Sequence, residues 1–194
     1  NTLVPETIPG RSSQRSGSMR QFGELMKLLG IDPGQAQAIA GAAADWIDSD
    51  SNEGPLGAED NAYRSMQGAY LPANRKMADV SELRAVRGVT PKIYARLKPW
   101  ICVLPATDPV RLNVNTLGPE QAPLVAMLLP GEISIADARA ALAARPADGY
   151  GSSERFWSAG PFEGRKPQND VAEQAGVTSR WLALTTNVTM GDGF

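Results

Sequence analysis

The sequence predicts an α+β protein in which a small β-sheet domain is interrupted by a large, mostly α-helical insertion domain. Between about residues 20 and 145, apolar side chains recur three and four positions apart, which is typical of helices with one buried face. Residues 181–190 instead alternate apolar and polar side chains, which indicates a half-buried strand. A second extended candidate, Leu3–Val4, lies near the other end of the sequence.

Strands at both ends with helices between them indicate a helical domain inserted into a sheet domain. We therefore assign residues 1–18 and 147–194 to the sheet domain and residues 19–146 to the inserted helical domain. Further strands of the sheet are expected within residues 1–18 and 160–178.

The first helices are predicted from apolar spacing and from capping residues. Residues 11–18 are rich in serine and arginine, a composition that predicts a mobile linker. A helix with a single apolar stripe is predicted over Met19–Leu29. Asp32 is the predicted N-cap of the next helix, because Pro33 follows it at the first helical position.

A helical hairpin is predicted further along the chain. Glu59–Gln67 forms a short helix by its apolar spacing. Asp79 and Glu82 have the spacing of a capping box, so a helix is expected to begin there. The following helix begins at Thr90–Pro91, which places two short helices around a tight turn.

After residue 111 the sequence predicts two further helices and then a less regular segment. Two helices are expected within residues 112–145, the second of them capped by Ser134. Residues 146–178 are rich in Gly, Pro, Ser and charged residues and contain three large aromatic residues. These aromatic residues are expected either to anchor a partner subunit or to pack onto the body of the protein; they are Phe156, Trp157 and Phe162.

The composition excludes several classes of site. The net charge of −2 gives no strong positive field for nucleic acid. Histidine is absent and Cys102 is the single cysteine, which excludes His-dependent catalysis, an intrachain disulfide, and zinc or iron–sulfur sites. Cys102 stands in an apolar run and is predicted to be a small buried residue. One basic cluster is expected to be a solvated face or a docking surface for an acidic partner; it comprises Arg75, Lys76, Arg84 and Arg87.

The most acidic stretch is the candidate functional site. Asp48, Asp50 and Asn52 place oxygen-bearing side chains at alternate positions, and the pair Glu59–Asp60 follows after a Gly/Pro turn. Three such ligands closed by a carboxylate eleven residues after the first can wrap a short loop around calcium. We expect a metal because carboxylates this close repel one another unless a cation neutralises them.

This loop departs from an EF-hand. Glu53 occupies the position where that motif requires glycine, and Pro55 lies inside the loop. The alternative is a solvated acidic turn whose carboxylates cap the flanking helices.

A longer series of motifs carries a family resemblance. In order, the motifs are Asp45-Trp-Ile-Asp48-x-Asp50, Gly57-Ala-Glu-Asp60 with Tyr63, Val80-Ser-Glu-Leu83, Val86-Arg-Gly-Val89, Tyr94, Leu104-Pro105 and Asn113-Val-Asn-Thr116. Over roughly residues 20–145, and weakly over the terminal strand, this series resembles general secretion pathway protein K, the large minor pseudopilin of type II secretion systems.

The resemblance implies a fold, a place in the cell and a set of partners. The fold is a pilin-like sheet domain with a helical insertion, and the N-terminal helix that anchors the family in the bacterial inner membrane is expected to be missing from this chain. The chain would then be a non-catalytic periplasmic domain at the pseudopilus tip. There it would assemble with the I and J minor pseudopilins to initiate or cap the pseudopilus during export of folded proteins. The H minor pseudopilin, the outer-membrane secretin and the secreted substrate are further candidate partners, and nucleic acid is not expected.

The resemblance also implies calcium binding. Carried over residue by residue, the calcium ligands would be Asp45, Asp48, Asp50, Asn52, Glu59 and Asp60. Asp45 joins this set because a helix places it one turn before Asp48.

Two other functions remain as alternatives. The first is a DNA-binding helix-hairpin-helix module, which presents backbone N–H groups to phosphates. Against it, Glu132 puts a carboxylate in the second hairpin turn, where phosphate would lie. The second is a hydrolase that uses Glu59 and Asp60, although adjacent helical residues point about 100° apart.

Overall fold

The protein is mostly helical with a minor sheet. The computed structural model describes residues 12–104, 111–165, 167, 169–184 and 186–189. Within these ranges it contains eight α-helices, four short 3-10 helices and one two-stranded sheet, which confirms the predicted α+β class. The predicted extended pair Leu3–Val4 lies outside the described residues.

The elements follow one another closely along the chain. The α-helices are α1 (Ser12–Leu28), α2 (Pro33–Ile47), α3 (Asp60–Arg64), α4 (Pro91–Leu97), α5 (Ala122–Ala126), α6 (Ile135–Ala143), α7 (Ser153–Trp157) and α8 (Asn169–Ala172). The 3-10 helices span Val80–Ala85, Lys98–Trp100, Pro119–Gln121 and Gly160–Phe162, and the strands are β1 (Leu112–Asn113) and β2 (Ala175–Gly176). None of the helices in the described part of the chain is both long and apolar enough to cross a membrane.

Helices α1 and α2 pack against each other at the start of the fold. The predicted cap of α2 is confirmed, because Asp32 Oδ1 accepts a hydrogen bond from the Gln35 N–H at 3.0 Å. The predicted linker over residues 11–18 is wrong from Ser12 onward, where α1 has already begun. Serine disfavours a helix by less than about 1 kcal/mol relative to alanine, so a helix stabilised by later apolar residues can extend through such a stretch.

The predicted helical hairpin is confirmed. Asp79 Oδ1 accepts from the Ser81 N–H at 2.8 Å, and Glu82 Oε1 accepts from the Asp79 N–H at 3.3 Å, as a capping box requires. Thr90 Oγ1 accepts from the Ile93 N–H at 3.2 Å and so caps α4. Between the two helices the chain turns back on itself, so that α4 contacts Val80–Ala85.

The short sheet joins two distant parts of the chain. Strands β1 and β2 are parallel, with Leu112 opposite Ala175 and Asn113 opposite Gly176. Strand β2 lies within residues 160–178, where further strands are expected. Strand β1 lies in a stretch predicted to be helical; it is only two residues long, too short to produce a recognisable alternation.

Two hydrophobic cores organise these elements. The first is built by buried residues between Met26 and Leu97, and the second by buried residues between Val114 and Ala175. Phe156, Trp157 and Phe162 all lie buried in the second core, so they pack onto the body of the protein. The division of the chain at residues 18 and 146 stays a prediction.

Two further expectations are corrected by the structure. Residues 181–184 and 186–189 do not form the predicted strand, and Leu182 and Leu184 are 93% and 92% exposed. Alternation defines two faces, but a strand also needs a paired neighbour, and the sheet in the described residues consists of β1 and β2 alone. Cys102 is exposed instead of buried. Its neighbours Ile101 and Val103 pack against the first core, and successive side chains of an extended segment point to opposite sides.

Candidate functional site

Helix α2 carries two carboxylates into the protein interior. Its alanine-rich sequence leaves little side-chain bulk, so neighbouring segments approach closely, and the second half of the helix is buried throughout. Asp45 is 1% exposed and Asp48 is 4% exposed. A buried carboxylate is costly unless hydrogen bonds or a cation compensate it, so these two residues require a specific environment.

Asp45 closes the acidic loop. Its Oδ2 accepts hydrogen bonds from the backbone N–H groups of Gly54 and Ala58, each at 3.0 Å. Both donors lie in the loop that follows α2, so this carboxylate fixes the loop against the helix that carries it. Charge-assisted hydrogen bonds of this kind are about twice as strong as neutral ones.

Close packing between α2 and the loop requires Gly41, which sequence reasoning missed, and Gly57, which it identified only as part of a turn and a motif. A Cβ at Gly41 would lie 2.6 Å from the Leu56 carbonyl oxygen, and a Cβ at Gly57 would lie 1.9 Å from Asp45 Oδ2. Leu56 itself has a φ of +62°, a conformation that costs a residue with a side chain about 1–2 kcal/mol. A glycine inside an alanine-rich helix was the sequence signal for this close approach.

Glu59 is a buried carboxylate that hydrogen bonds do not compensate. It precedes α3, is 5% exposed, and neither Oε1 nor Oε2 has a hydrogen-bond partner. Burial, and to a smaller extent the negative charges of Asp45, Asp48, Asp60 and Asp50, together raise the pKa of Glu59 from 4.5 to about 7. The structure therefore places four other carboxylates within electrostatic reach of Glu59.

The other predicted ligands lie nearer the surface. Asp50 and Asn52 are exposed, and Asp50 Oδ1 accepts from the Asn52 backbone N–H at 2.9 Å and from its side-chain amide at 2.8 Å. Asp60 forms an ion pair with Arg64 at 2.9 Å. In the described part of the chain, no three acidic or cysteine side chains are grouped closely enough to hold a metal ion as they stand.

Asn74 connects the acidic loop to a later segment and was also missed from sequence. Its side-chain amide donates to the Asp50 carbonyl at 3.0 Å and to Ser51 Oγ at 3.3 Å. Its φ of +42° lies in the left-handed region, which asparagine tolerates better than most residues do. This contact ties residues 50–51 to the chain that leads into the helical hairpin.

An aromatic cluster connects the site to the hairpin itself. The ring centroids of Trp46 and Tyr63 are 5.3 Å apart, and those of Tyr63 and Tyr70 are 5.4 Å apart. The Tyr63 hydroxyl accepts from the Arg87 N–H at 3.3 Å, and burial raises the pKa of Tyr63 to about 12. The acidic loop and the hairpin thus pack against the same hydrophobic core.

The geometry does not favour either of the two alternative functions. Of the two carboxylates that a hydrolase would use, Glu59 is buried and Asp60 is ion-paired with Arg64. In the second hairpin, Glu132 is exposed in the turn before α6, where it would repel a phosphate.

Comparison with known proteins identifies the family. Family models described as type II secretion system (T2SS), protein K match residues 1–106 and residues 112–178. Type II secretion system protein K of Dickeya chrysanthemi is 38% identical over 185 residues, which cover 94% of this chain and 50% of the relative. The corresponding protein of Klebsiella pneumoniae is 40% identical over 137 residues, which cover 71% of this chain and 42% of the relative.

A solved structure has the same fold. It is a chain of the crystal structure of the GspK–GspI–GspJ complex from the enterotoxigenic Escherichia coli type 2 secretion system, with a TM-score of 0.76 and 29% sequence identity. The match covers 92% of this chain and 60% of that chain. The chain spans about half the length of the Dickeya relative. Since a family model matches more than half of its length, the chain belongs to the type II secretion system protein K family, as its motifs predicted.

Proposed function

We propose that this chain is the periplasmic part of a non-catalytic minor pseudopilin that assembles with the I and J minor pseudopilins at the tip of a type II secretion pseudopilus. The observation that carries the proposal is the fold shared with a chain of the GspK–GspI–GspJ complex over 92% of the present chain. In this role the protein initiates or caps the pseudopilus during export of folded proteins.

Size-exclusion chromatography with light scattering tests this proposal. The chain is mixed with the soluble domains of the I and J minor pseudopilins of the same secretion system, and the expected result is one peak with the mass of a 1:1:1 complex. Elution of the chain at its own mass of 20.6 kDa, with I and J separate from it, would contradict the assignment of partners.

We also propose that the acidic loop binds calcium. Glu59 supports this proposal, because two buried carboxylate oxygens without hydrogen-bond partners, surrounded by further negative charge, are stabilised by a hard cation. Asp45, Asp48 and Glu59 would supply the buried ligands, and Asp50, Asn52 and Asp60 are the candidates nearer the surface. Calcium would supply the positive charge that allows these carboxylates to stay ionised side by side.

Thermal unfolding with and without calcium tests this second proposal. A ligand that binds the folded state alone stabilises it by about 2.7 kcal/mol at one hundred times its dissociation constant, so calcium should raise Tm and EDTA should reverse the rise. Glu59→Gln should largely abolish the rise, whereas the matched change Glu53→Gln, at an exposed glutamate of the same loop, should preserve it. Equal melting curves for the unaltered protein in calcium and in EDTA would count against a calcium site.

A further inference from the structure

We propose that a cleft beside the helical hairpin binds an acidic peptide segment of a partner protein, with a carboxylate at Arg84 and a neighbouring apolar side chain inside the cleft. The cleft has a volume of about 420 Å³. Its apolar wall is formed by Tyr70, Ala85, Val89 and Pro91, and Arg84 and Thr90 add polar groups. This inference does not depend on calcium or on the I and J partners.

The segment that supplies six of the seven residues lining the cleft is basic in sequence, although the whole chain is slightly acidic. Residues 75–98 contain seven Lys or Arg and two acidic residues, a net of +5, against −2 for the chain. The two acidic residues, Asp79 and Glu82, are engaged in capping the 3-10 helix Val80–Ala85. Such a surface attracts and orients an anionic partner.

Arg84 has the geometry expected of the anion-binding group. Its guanidinium carbon lies 5.9 Å from the centroid of the Tyr94 ring, a cation–π contact that restrains the side chain. Arg84 is exposed, and among the described residues it forms no ion pair. Its N–H groups are therefore available to a carboxylate at a restrained position, which lowers the entropy cost of binding.

The cleft wall distinguishes a peptide from a nucleic acid. Phosphate backbones are bound by rows of cations, whereas Arg84 alone is charged among the described residues that line the cleft, and it adjoins an apolar wall that includes a tyrosine ring. Tyr70 also packs in the aromatic cluster with Trp46 and Tyr63, so its ring is held against the first core. An acidic residue beside a leucine-like residue matches both features, the charge and the apolar surface.

An NMR titration of the ¹⁵N-labelled protein tests the proposal. The probe is N-acetyl-Leu-Asp-amide, which has one carboxylate, and the matched neutral probe is N-acetyl-Leu-Asn-amide. The acidic probe should give saturable shifts of the Ala85, Val89 and Thr90 amides. The neutral probe should bind more weakly by up to about fivefold, the upper end of the range for one exposed ion pair.

Two variants separate a specific site from a general charge effect. Arg84→Gln should weaken binding of the acidic probe to the level of the neutral probe, and Arg139→Gln, at an exposed arginine on α6, should leave it unchanged. Equal affinity for both probes, equal effects of both variants, or no saturable shift would overturn the proposal. Displacement of the acidic probe by a short DNA duplex that binds more tightly at about 0.15 M salt would overturn it in favour of a phosphate-binding surface.

Discussion

Gly57 lies against the carboxylate of Asp45 so closely that a Cβ on this glycine would stand 1.9 Å from Asp45 Oδ2 and 2.7 Å from its Cγ. The same Oδ2 accepts the hydrogen bonds from Gly54 and Ala58 that close the acidic loop. A methyl group at residue 57 must therefore displace the group that holds the loop in place.

Gly57→Ala is accordingly expected to destabilise the protein by about 2–3 kcal/mol, because overpacking is combined with the loss of hydrogen bonds to a buried charge. Urea unfolding measures the change. Gly160→Ala is the matched control, since nothing lies within 4 Å of a Cβ at that position. Equal stability of the two variants would show that, in solution, the Asp45 side chain can move away from residue 57 without loss of stability.

The pH dependence of stability in calcium-free buffer should reveal Glu59. Its pKa is raised from the ordinary 4.5 to about 7 by burial and by neighbouring carboxylates, so between these values the folded state binds a proton that the unfolded state has lost. The free energy of unfolding should then fall by about 3 kcal/mol as the pH rises from about 4.5 to 7.

Urea titrations at a series of pH values in EDTA check this expectation. Glu59→Gln should flatten the decrease between pH 5 and 7, whereas Glu53→Gln, at an exposed residue, should retain it. A flat profile in the unaltered protein would indicate that the Glu59 carboxylate is hydrated in solution.

Asn115 is expected to contribute strongly to the second core. Its side-chain amide donates to the Tyr150 carbonyl at 3.0 Å and to the Val177 carbonyl at 3.2 Å, and its Oδ1 accepts from the Tyr150 N–H at 2.8 Å. Asn115→Ala should cost about 2–4 kcal/mol, because three backbone groups lose their partner together. Asn187→Ala, at an exposed residue, should leave thermal unfolding unchanged, and a similar small effect at residue 115 would contradict the role given to Asn115.

The aromatic cluster of the second core gives a further prediction. Phe156 is fully buried, and its ring centroid lies 5.1 to 5.2 Å from those of Tyr150, Trp157 and Phe162. Phe156→Ala should destabilise the protein by about 3–5 kcal/mol. Leu182→Ala, at a side chain that is 93% exposed, should change the stability by less than about 0.5 kcal/mol. A small effect of Phe156→Ala would contradict the importance of the Phe156 ring for the stability of the second core.

Local chemistry made the helix starts predictable from the sequence. Asp32, Asp79 with Glu82, and Ser134 all cap the helices assigned to them, because a capping side chain bonds to backbone groups two or three residues away. The acidic loop was also found from residue types alone. The sequence could not show which carboxylates of the loop are buried. Asp48 is buried and Asp50 is exposed, although both are aspartates.

Non-local features account for what the sequence did not predict. The close approach of Gly57 to Asp45 and the bond from Asn74 to residue 50 join positions 12 and 24 residues apart. The short strands β1 and β2 depend on each other across more than sixty residues. The alternation of residues 181–190 predicted a strand, but no residue in that stretch specifies what should pair with it.

The pairing of β1 with β2 has a consequence for the order in which the protein folds. It brings Leu112 beside Ala175, which closes a long loop of chain, and contacts of that kind form late because the entropy of closure must first be overcome. The first core, in contrast, draws its residues from Phe22 to Val103. We expect hydrogen exchange to show the earlier and stronger protection there. The acidic loop would then be assembled while the C-terminal part of the chain is still unfolded.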